Sequence, residues 1–131
     1  MEAAKWWAVM PDGRLHCFLC PRHCHIGAGQ TGFCFIRKNI GGTLYNLGYG
    51  RPAAVQVDPI EKKPLFHFLP GSSIFSLGTV GCNMGCLFCQ NWDISKSRAD
   101  QVHAIHLEPE QVVRAAMESG SRGLTKVAFR P

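Results

Sequence analysis

The sequence predicts an α/β protein built in two parts. Residues 1–71 are predicted to form a small cysteine-rich, metal-bound module with a β-hairpin, and residues 72–131 a single strand–helix–strand unit. Three observations support this prediction. The seven cysteines fall into a group of four and a group of three, a Gly-Gly pair separates two strand-like segments, and an apolar run precedes an amphipathic helix. A hydrophobic share of 46% over 131 residues is typical of a globular protein.

The first part shows strand and turn signals but no helical period. Residues 33–39 ("FCFIRKN") and 43–50 ("TLYNLGYG") flank "IGG", and two consecutive glycines suit a tight turn with positive φ, so a hairpin is expected. Residues 53–60 ("AAVQVDPI") predict another strand, closed by Pro59. Residues 61–72 carry two prolines and a glycine, which indicates an extended, ordered loop.

The second part has the pattern of one βαβ unit. Residues 73–80 ("SIFSLGTV") predict a buried parallel strand, residues 91–106 a broken loop, and residues 124–129 a second strand. Between them, residues 107–123 predict a helix with Pro109 at its first position and Gly120 as its stop. The expected apolar face of this helix consists of Val112, Val113, Ala116 and Met117. A closed eight-stranded barrel takes about 250 residues, so this segment corresponds to about a quarter of one.

Charge and hydropathy argue against several classes of protein: nucleic-acid-binding, membrane-spanning and secreted. The formal charge of +5 comes from basic pairs (Arg37–Lys38 and Lys62–Lys63) that we interpret as solvated surface, so nucleic-acid binding is not expected. No apolar run reaches the roughly 18 residues of a membrane span, and the patch in "MEAAKWWAVMP" is too short for a secretory signal. A cytoplasmic protein is therefore expected. Disulfides are rare in that compartment, which leaves metal binding as the main explanation of the cysteines.

The first cysteine group, here called the quartet, consists of Cys17, Cys20, Cys24 and Cys34. Four thiolates can close a tetrahedral site, and sulfur suits zinc and an iron–sulfur cluster equally well. The neighbouring His16, His23 and His25 could replace a cysteine, although surface or supporting positions are more typical of such residues. This segment has few apolar residues, so we expect it to need a structural metal in order to fold.

The second group, here called the trio, consists of Cys82, Cys86 and Cys89. It follows the predicted strand 73–80, at the strand end where parallel α/β folds place their active sites. Three cysteines can hold a [4Fe–4S] cluster and leave one iron without a protein ligand. A zinc site completed by histidine, or buried free thiols, are the alternatives.

Three stretches carry a resemblance to a known family: "CFLCPRHCHIGAGQTGFC", "YGRPAAVQVDPIEKKPLFHFLPGS" and "GCNMGCLFCQNWDIS". The last contains Cys-x3-Cys-x-aromatic-Cys, which is similar to the signature of radical S-adenosylmethionine (SAM) enzymes. Together the stretches resemble the radical SAM protein of the AmmeMemoRadiSam system, which is related to the activating enzyme of pyruvate formate-lyase. The match runs from about residue 13 to residue 121.

The resemblance implies an activity. Cys82, Cys86 and Cys89 would ligate a [4Fe–4S] cluster, SAM would bind the remaining iron, and Phe88 would lie beside the adenine. Reductive cleavage of SAM would give a 5′-deoxyadenosyl radical that abstracts hydrogen from a substrate, either a protein or a small molecule. A flavodoxin- or ferredoxin-like electron donor is expected. A non-catalytic zinc or iron–sulfur module, or an inactive truncated fragment, are the alternative interpretations.

Two further expectations come from the same resemblance. Lys62, Lys63 and His67 would lie near a barrel entrance and could meet substrate, or else be ordinary surface and packing residues, whereas His103 and His106 are expected to be exposed loop residues. The family continues after its second strand into a Tyr-Asn-Glu-Pro-like segment whose acidic residue holds the amino group of SAM. This chain has "GLTKVAFRP" instead, so the radical SAM (β/α) barrel is expected to be incomplete.

Overall fold

A computed structural model describes residues 1–127 of the chain as a mixed α/β fold with three small sheets and few helices. The strands are β1 (Glu2–Ala3), β2 (Trp7–Val9), β3 (Leu15–Cys17), β4 (Cys24–Ile26), β5 (Arg37–Ile40), β6 (Thr43–Asn46), β7 (Ala54–Pro59), β8 (Ser73–Gly78) and β9 (Leu124–Val127). The helices are α1 (Trp92–Ser95), α2 (Pro109–Glu118) and a 3-10 turn at Ile60–Lys62. Hydrogen bonds order the strands as β1-β6-β5, β2-β3-β4 and β7-β8-β9.

The predicted hairpin is confirmed. Strands β5 and β6 pair antiparallel, and they are joined by Gly41 (φ 59°) and Gly42 (φ 82°). Both φ values lie in the left-handed region that glycine adopts at little cost. The buried Asn39 links this turn to the neighbouring sheet. Its Oδ1 accepts from the N–H of Gly42 at 3.1 Å, and its Nδ2 donates to the carbonyl of Ile26 at 3.1 Å.

The N-terminal sheet β2-β3-β4 was not anticipated from the sequence. Its strands are three residues each, too short for a period-two pattern to stand out. Strand β3 nevertheless alternates, since Leu15 and Cys17 point inward and pack with Ile26 and Leu44 in one core cluster. This apolar cluster fixes the inward face of the module.

The third sheet carries the strand–helix–strand unit. Its central strand β8 pairs antiparallel with β7 and parallel with β9, and α2 lies between β8 and β9 in the chain. The predicted strands at residues 53–60 and 73–80 are thus confirmed in substance, with β8 ending at Gly78. The strand predicted at residues 124–129 is found up to Val127, and its last two positions lie outside the described residues. This sheet takes strands from both sides of the predicted boundary at residue 71, and the boundary itself stays a prediction.

Helix α2 begins at Pro109, as predicted, and ends at Glu118, just before Gly120 with φ 67°. Its N-terminus is closed by the N–H of Glu108, which donates to Oε1 of Gln111 at 2.8 Å. No residue of α2 is buried, and Met117 on the expected apolar face is 76% exposed. The helix is therefore present, but its apolar face is largely uncovered by residues 1–127.

The segment predicted as a loop at residues 91–106 contains α1. This short helix forms because the N–H of Ser95 donates to the carbonyl of Asn91 at 2.8 Å, and it buries Ser95. The predicted loop at residues 61–72 likewise starts within a 3-10 turn rather than in extended backbone. None of the helices in residues 1–127 has the length and apolar character needed to traverse a lipid bilayer.

Candidate metal centres

All four cysteines of the quartet line one cavity of about 210 Å³. Cys17 and Cys24 are direct partners across the β3–β4 pair, so their side chains leave the sheet on the same face. Cys20 lies in the turn between these strands, and Cys34 lies just before β5. The strand pairing thus brings together thiols that are up to 17 positions apart in the sequence.

A buried arginine touches this thiol group. Nη1 of Arg37 donates to the carbonyl of Lys5 at 2.7 Å and lies 3.4 Å from Sγ of Cys17. Arg37 is only 7% exposed, which corrects the interpretation of the Arg37–Lys38 pair as solvated surface. The guanidinium therefore places a positive charge beside the quartet.

Cys34 has two opposing influences on its pKa. Burial raises the pKa of the Cys34 thiol above its ordinary value, while the backbone N–H groups of Ile36 and Arg37 oppose the rise by hydrogen bonding to the sulfur. Negative charge on the nearby Cys24 and Cys17 raises it further. A buried sulfur with N–H donors around it is suited to a bound cation, which removes the cost of the buried negative charge.

The three histidines near the quartet lie on the other side of the sheet. His16 and His25 are cross-strand partners, and they alternate with Cys17 and Cys24 along β3 and β4. Nε2 of His16 is 3.1 Å from Nδ1 of His23 outside the cavity. The structure therefore gives no support to a histidine replacing a quartet cysteine, and it favours the surface alternative.

The trio lies in the segment that follows β8, here called the trio loop (residues 81–90). The N–H of Met84 donates to Sγ of Cys82 at 3.3 Å, and Sγ of Cys89 lies 3.2 Å from Oγ of the buried Ser95. The middle of the loop faces solvent, with Phe88 87% exposed. A ring this exposed is not packed against the end of β8.

Gly81 sets where the trio loop starts. Its φ is 86°, and a Cβ at this position would lie 2.2 Å from the carbonyl oxygen of Cys34 and 2.7 Å from Cγ2 of Ile36. Its N–H donates to the carbonyl of Ile94 at 2.8 Å. Only glycine fits this backbone position, which lets the trio loop pass directly against the quartet module.

Among residues 1–127, no group of three or more His, Cys, Asp or Glu side chains is arranged so that it could hold a metal ion. The chemistry of the donors nevertheless fits soft metals at both places. The quartet offers four thiols around one cavity, and the trio offers three thiols in one loop, two of them in hydrogen bonds. Both groups are therefore candidate metal centres by the chemistry of their donors.

A charged cluster lies at the end of β7 and in the 3-10 turn that follows it. Nζ of Lys62 and Nζ of Lys63 bind the two carboxylate oxygens of the buried Asp58 at 2.9 and 2.8 Å. Hydrogen bonds from Lys63 and then Lys62 hold the pKa of the Asp58 carboxyl far below its ordinary value of 3.8. Lys63 is thus a partly buried ion-pair partner rather than free surface charge, which corrects the interpretation as solvated surface for Lys63 but not for the exposed Lys62.

Both lysines also line a cavity of about 250 Å³, together with Asn91 and Asp93, which follow the trio. The cavity has two cationic and two anionic side chains when Asp58 is counted, so it is electrostatically balanced. The remaining candidate, His67, is exposed and is not among the lining residues. His103 and His106 are exposed, as expected.

Sequence reasoning named all seven cysteines but missed the residues around them: Arg22, Arg37, Asp58, Gly81, Asn83 and Ser95. A weak signal existed for two of these. Arg22 lies between two quartet cysteines, and Gly81 directly precedes the first trio cysteine. The burial of Arg37 and Asp58 depends on strand pairing, which the sequence does not encode locally.

The chain is similar to two proteins of the archaeon Methanocaldococcus jannaschii. It is 42% identical over its whole length to the uncharacterized protein MJ0808, and 30% identical over 104 residues to the uncharacterized protein MJ0674. The chain spans 39% of the length of the first relative, and the second match covers 25% of that relative and 76% of this chain. No protein-family profile matches the chain. No solved structure is significantly similar to it.

Proposed function

We propose that this chain is the cluster-binding part of a radical SAM enzyme. One observation carries the proposal: three closely spaced cysteines follow the carboxyl end of β8, a strand that runs parallel to β9 with α2 between them. In parallel α/β folds, functional loops gather at this end of the strands. In this proposal β8, α2 and β9 are the first βαβ unit of a (β/α) barrel.

The residues of the trio loop have distinct roles in this proposal. Cys82, Cys86 and Cys89 hold a [4Fe–4S] cluster. The N–H of Met84 donates to Sγ of Cys82, and the hydroxyl of Ser95 lies within hydrogen-bond distance of Sγ of Cys89, so both contacts orient the sulfurs.

When bound, the cluster and SAM supply a one-electron cleavage of the sulfonium that yields a 5′-deoxyadenosyl radical. The exposed ring of Phe88 is free to stack on the adenine of SAM. A flavodoxin- or ferredoxin-like donor supplies the electron, and the substrate is either a protein or a small molecule.

The quartet has a structural role in the proposal. Its thiols come from two strands and two connecting segments, so a bound zinc ion or iron–sulfur cluster ties these segments together. Arg37 supports the site by balancing negative charge on Cys17.

A second candidate function is a non-catalytic metal-binding module. It is favoured by the quartet itself, because four thiols around one cavity form a complete ligand set that needs no other chemistry. In that case the trio would be free thiols or an accessory zinc site.

Anaerobic reconstitution with iron and sulfide separates the two candidates. The reduced protein is examined by electron paramagnetic resonance with and without SAM. A radical SAM protein gives a cluster signal that shifts on SAM addition, and Cys86→Ala abolishes that shift.

Leu87→Ala is the matched control, since Leu87 lies in the same loop with a fully exposed side chain. It should keep the SAM-dependent shift. The proposal would be overturned if the spectrum of a sample loaded with iron and sulfide did not change on SAM addition. It would also be overturned if Cys86→Ala still showed the SAM-dependent shift.

A further inference from the structure

An arginine of the quartet module reaches the trio loop, in addition to the contact that the module makes with Gly81. Arg22 lies in the turn between Cys20 and Cys24. Its Nε donates at 3.1 Å to the carbonyl of Asn83, which lies between Cys82 and Cys86. This hydrogen bond joins residues 61 positions apart, and it connects the two cysteine groups directly.

Phe33 strengthens the same contact. The guanidinium carbon of Arg22 lies 3.8 Å from the centroid of the Phe33 ring, the residue before Cys34. A Cβ at Gly85 would lie 3.7 Å from both Nη2 of Arg22 and Cζ of Phe33, so the trio loop packs closely over the pair. Nζ of Lys96 also lies 5.2 Å from the Phe33 centroid. The Phe33 ring therefore lies against Gly85 of the trio loop.

Asn83 also reaches into the quartet cavity. Its side chain is among the residues that line the cavity. Its Oδ1 is buried and has no hydrogen-bond partner among residues 1–127. The buried Oδ1 has no donor as the amide stands, whereas a half-turn of the amide presents Nδ2, which can donate to a sulfur. The trio loop thus supplies a polar group to the quartet site.

We propose that Arg22 is a positioning residue through which metal bound at the quartet orders the trio loop. This inference rests on the proposed quartet metal site. A metal held by Cys20 and Cys24 fixes both ends of the short turn that carries Arg22. The guanidinium then holds its Nε at a fixed position beside the carbonyl of Asn83. The trio loop therefore loses less conformational entropy when a cofactor binds.

The test uses the full 131-residue chain with Cys82, Cys86 and Cys89 all changed to alanine, so that the quartet is the only cysteine group able to bind zinc. Amide hydrogen exchange of residues 82–88 is measured by mass spectrometry with one equivalent of zinc and after chelation. Zinc should slow exchange of this segment by about threefold to tenfold, the effect of one or two modest polar contacts. In the same background, Arg22→Ala should bind zinc but lose this protection.

Two further variants sharpen the test. Arg14→Ala removes an exposed arginine that pairs with Asp12, and it should keep the full protection. Arg22→Lys retains the charge near Phe33 but lacks Nε, and it should lose most of the protection while staying folded by circular dichroism.

Three results would overturn the inference: zinc-independent exchange in the parent, equal protection in Arg22→Ala, or no zinc bound to the parent by metal analysis. The last result would also remove the quartet metal site. None of these measurements depends on a cluster at the trio, so failure here is distinct from failure of the SAM-dependent spectroscopic test.

Discussion

The quartet and the trio are both cysteine groups, yet they differ in burial and in the structure that brings their thiols together. Two quartet cysteines, Cys17 and Cys24, lie on strands β3 and β4 beside an apolar cluster, and Cys17 is only 5% exposed. The trio lies in one loop whose neighbours Leu87 and Phe88 face solvent. The quartet is therefore assembled by strand pairing, whereas the trio is brought together by sequence spacing alone. On the proposed function, a metal at the quartet would stabilise the fold, while a metal at the trio would add chemistry to a fold that already exists.

Removing one thiol from each group tests this difference most directly. Cys24→Ala should lose the quartet metal and lower the free energy of unfolding by about 4 kcal/mol or more, because loss of a structural metal is among the largest single-site effects. Cys86→Ala should change it by about 0.5 kcal/mol or less, as for a surface substitution. Metal analysis and urea unfolding measure both effects. Equal losses of stability in the two variants would show that the quartet does not stabilise the fold more than the trio does.

A pair of glycine variants tests the contact between the two regions. Gly81→Ala should cost about 1–3 kcal/mol for the left-handed backbone, and about 1–3 kcal/mol more for overpacking against Cys34. Gly71→Ala is the control, since it has the same sign of φ (72°) but no neighbouring heavy atom within 4 Å of the position that its new Cβ would occupy. Urea unfolding of both variants is the measurement. The difference between their losses of unfolding free energy gives the cost of overpacking against Cys34. If Gly81→Ala and Gly71→Ala had the same stability, the trio loop would not pack closely against the quartet module.

The sheet β7-β8-β9 contains a buried carboxylate, that of Asp58. Asp58→Asn should lower the free energy of unfolding by about 1.5–3 kcal/mol, because two hydrogen bonds from charged lysines are weakened. Asp12→Asn breaks only an exposed pair and should cost about 1 kcal/mol at most.

The same carboxylate predicts a pH dependence. The folded pKa of Asp58 lies below its ordinary value of 3.8, so its contribution is present above that pH. The contribution is lost as the pH falls from there through the lowered folded pKa. Acid titration of stability should therefore be flatter in Asp58→Asn than in the parent, and parallel curves would contradict the ion-pair role.

The smallest effect on stability is expected at Phe88. Phe88→Ala should leave the free energy of unfolding within about 0.5 kcal/mol of the parent. On the proposed function, it should also weaken SAM binding by roughly twofold to tenfold through loss of a stacking contact. Phe66→Ala is the matched control, since Phe66 is also exposed, at 62%, but lies far from the trio in sequence. Unchanged SAM affinity in Phe88→Ala would remove the stacking role.

Local signals in the sequence identified some elements well. The hairpin followed from two adjacent glycines, and α2 followed from Pro109, an amphipathic pattern and Gly120. Strands β7 and β8 are six residues each, long enough for their composition to stand out. These elements depend on interactions between near neighbours in the chain, which a sequence pattern records.

Long-range pairing explains most of what was missed. The three-residue strands β2 to β4 exist because they pair with one another over the apolar cluster, not because of their own composition. Arg37 has the local pattern of a surface residue, and only the position of β5 places it against Cys17. The shared cavity of the quartet could be expected from the cysteine count, but the contact between Arg22 and Asn83 could not.

The alternation along β3 and β4 also bears on how the chain finds its native pairing. Leu15 and Cys17 share one face with Cys24 and Ile26, while His16 and His25 occupy the other. A slip of one residue would turn a whole strand over, exposing its aliphatic side chain and removing its thiol from the cavity. Apolar burial selects this register, and the proposed thiol ligation would select it independently. A metal ion present during folding would disfavour the slipped register, because a strand in that register could not supply its thiol to the metal.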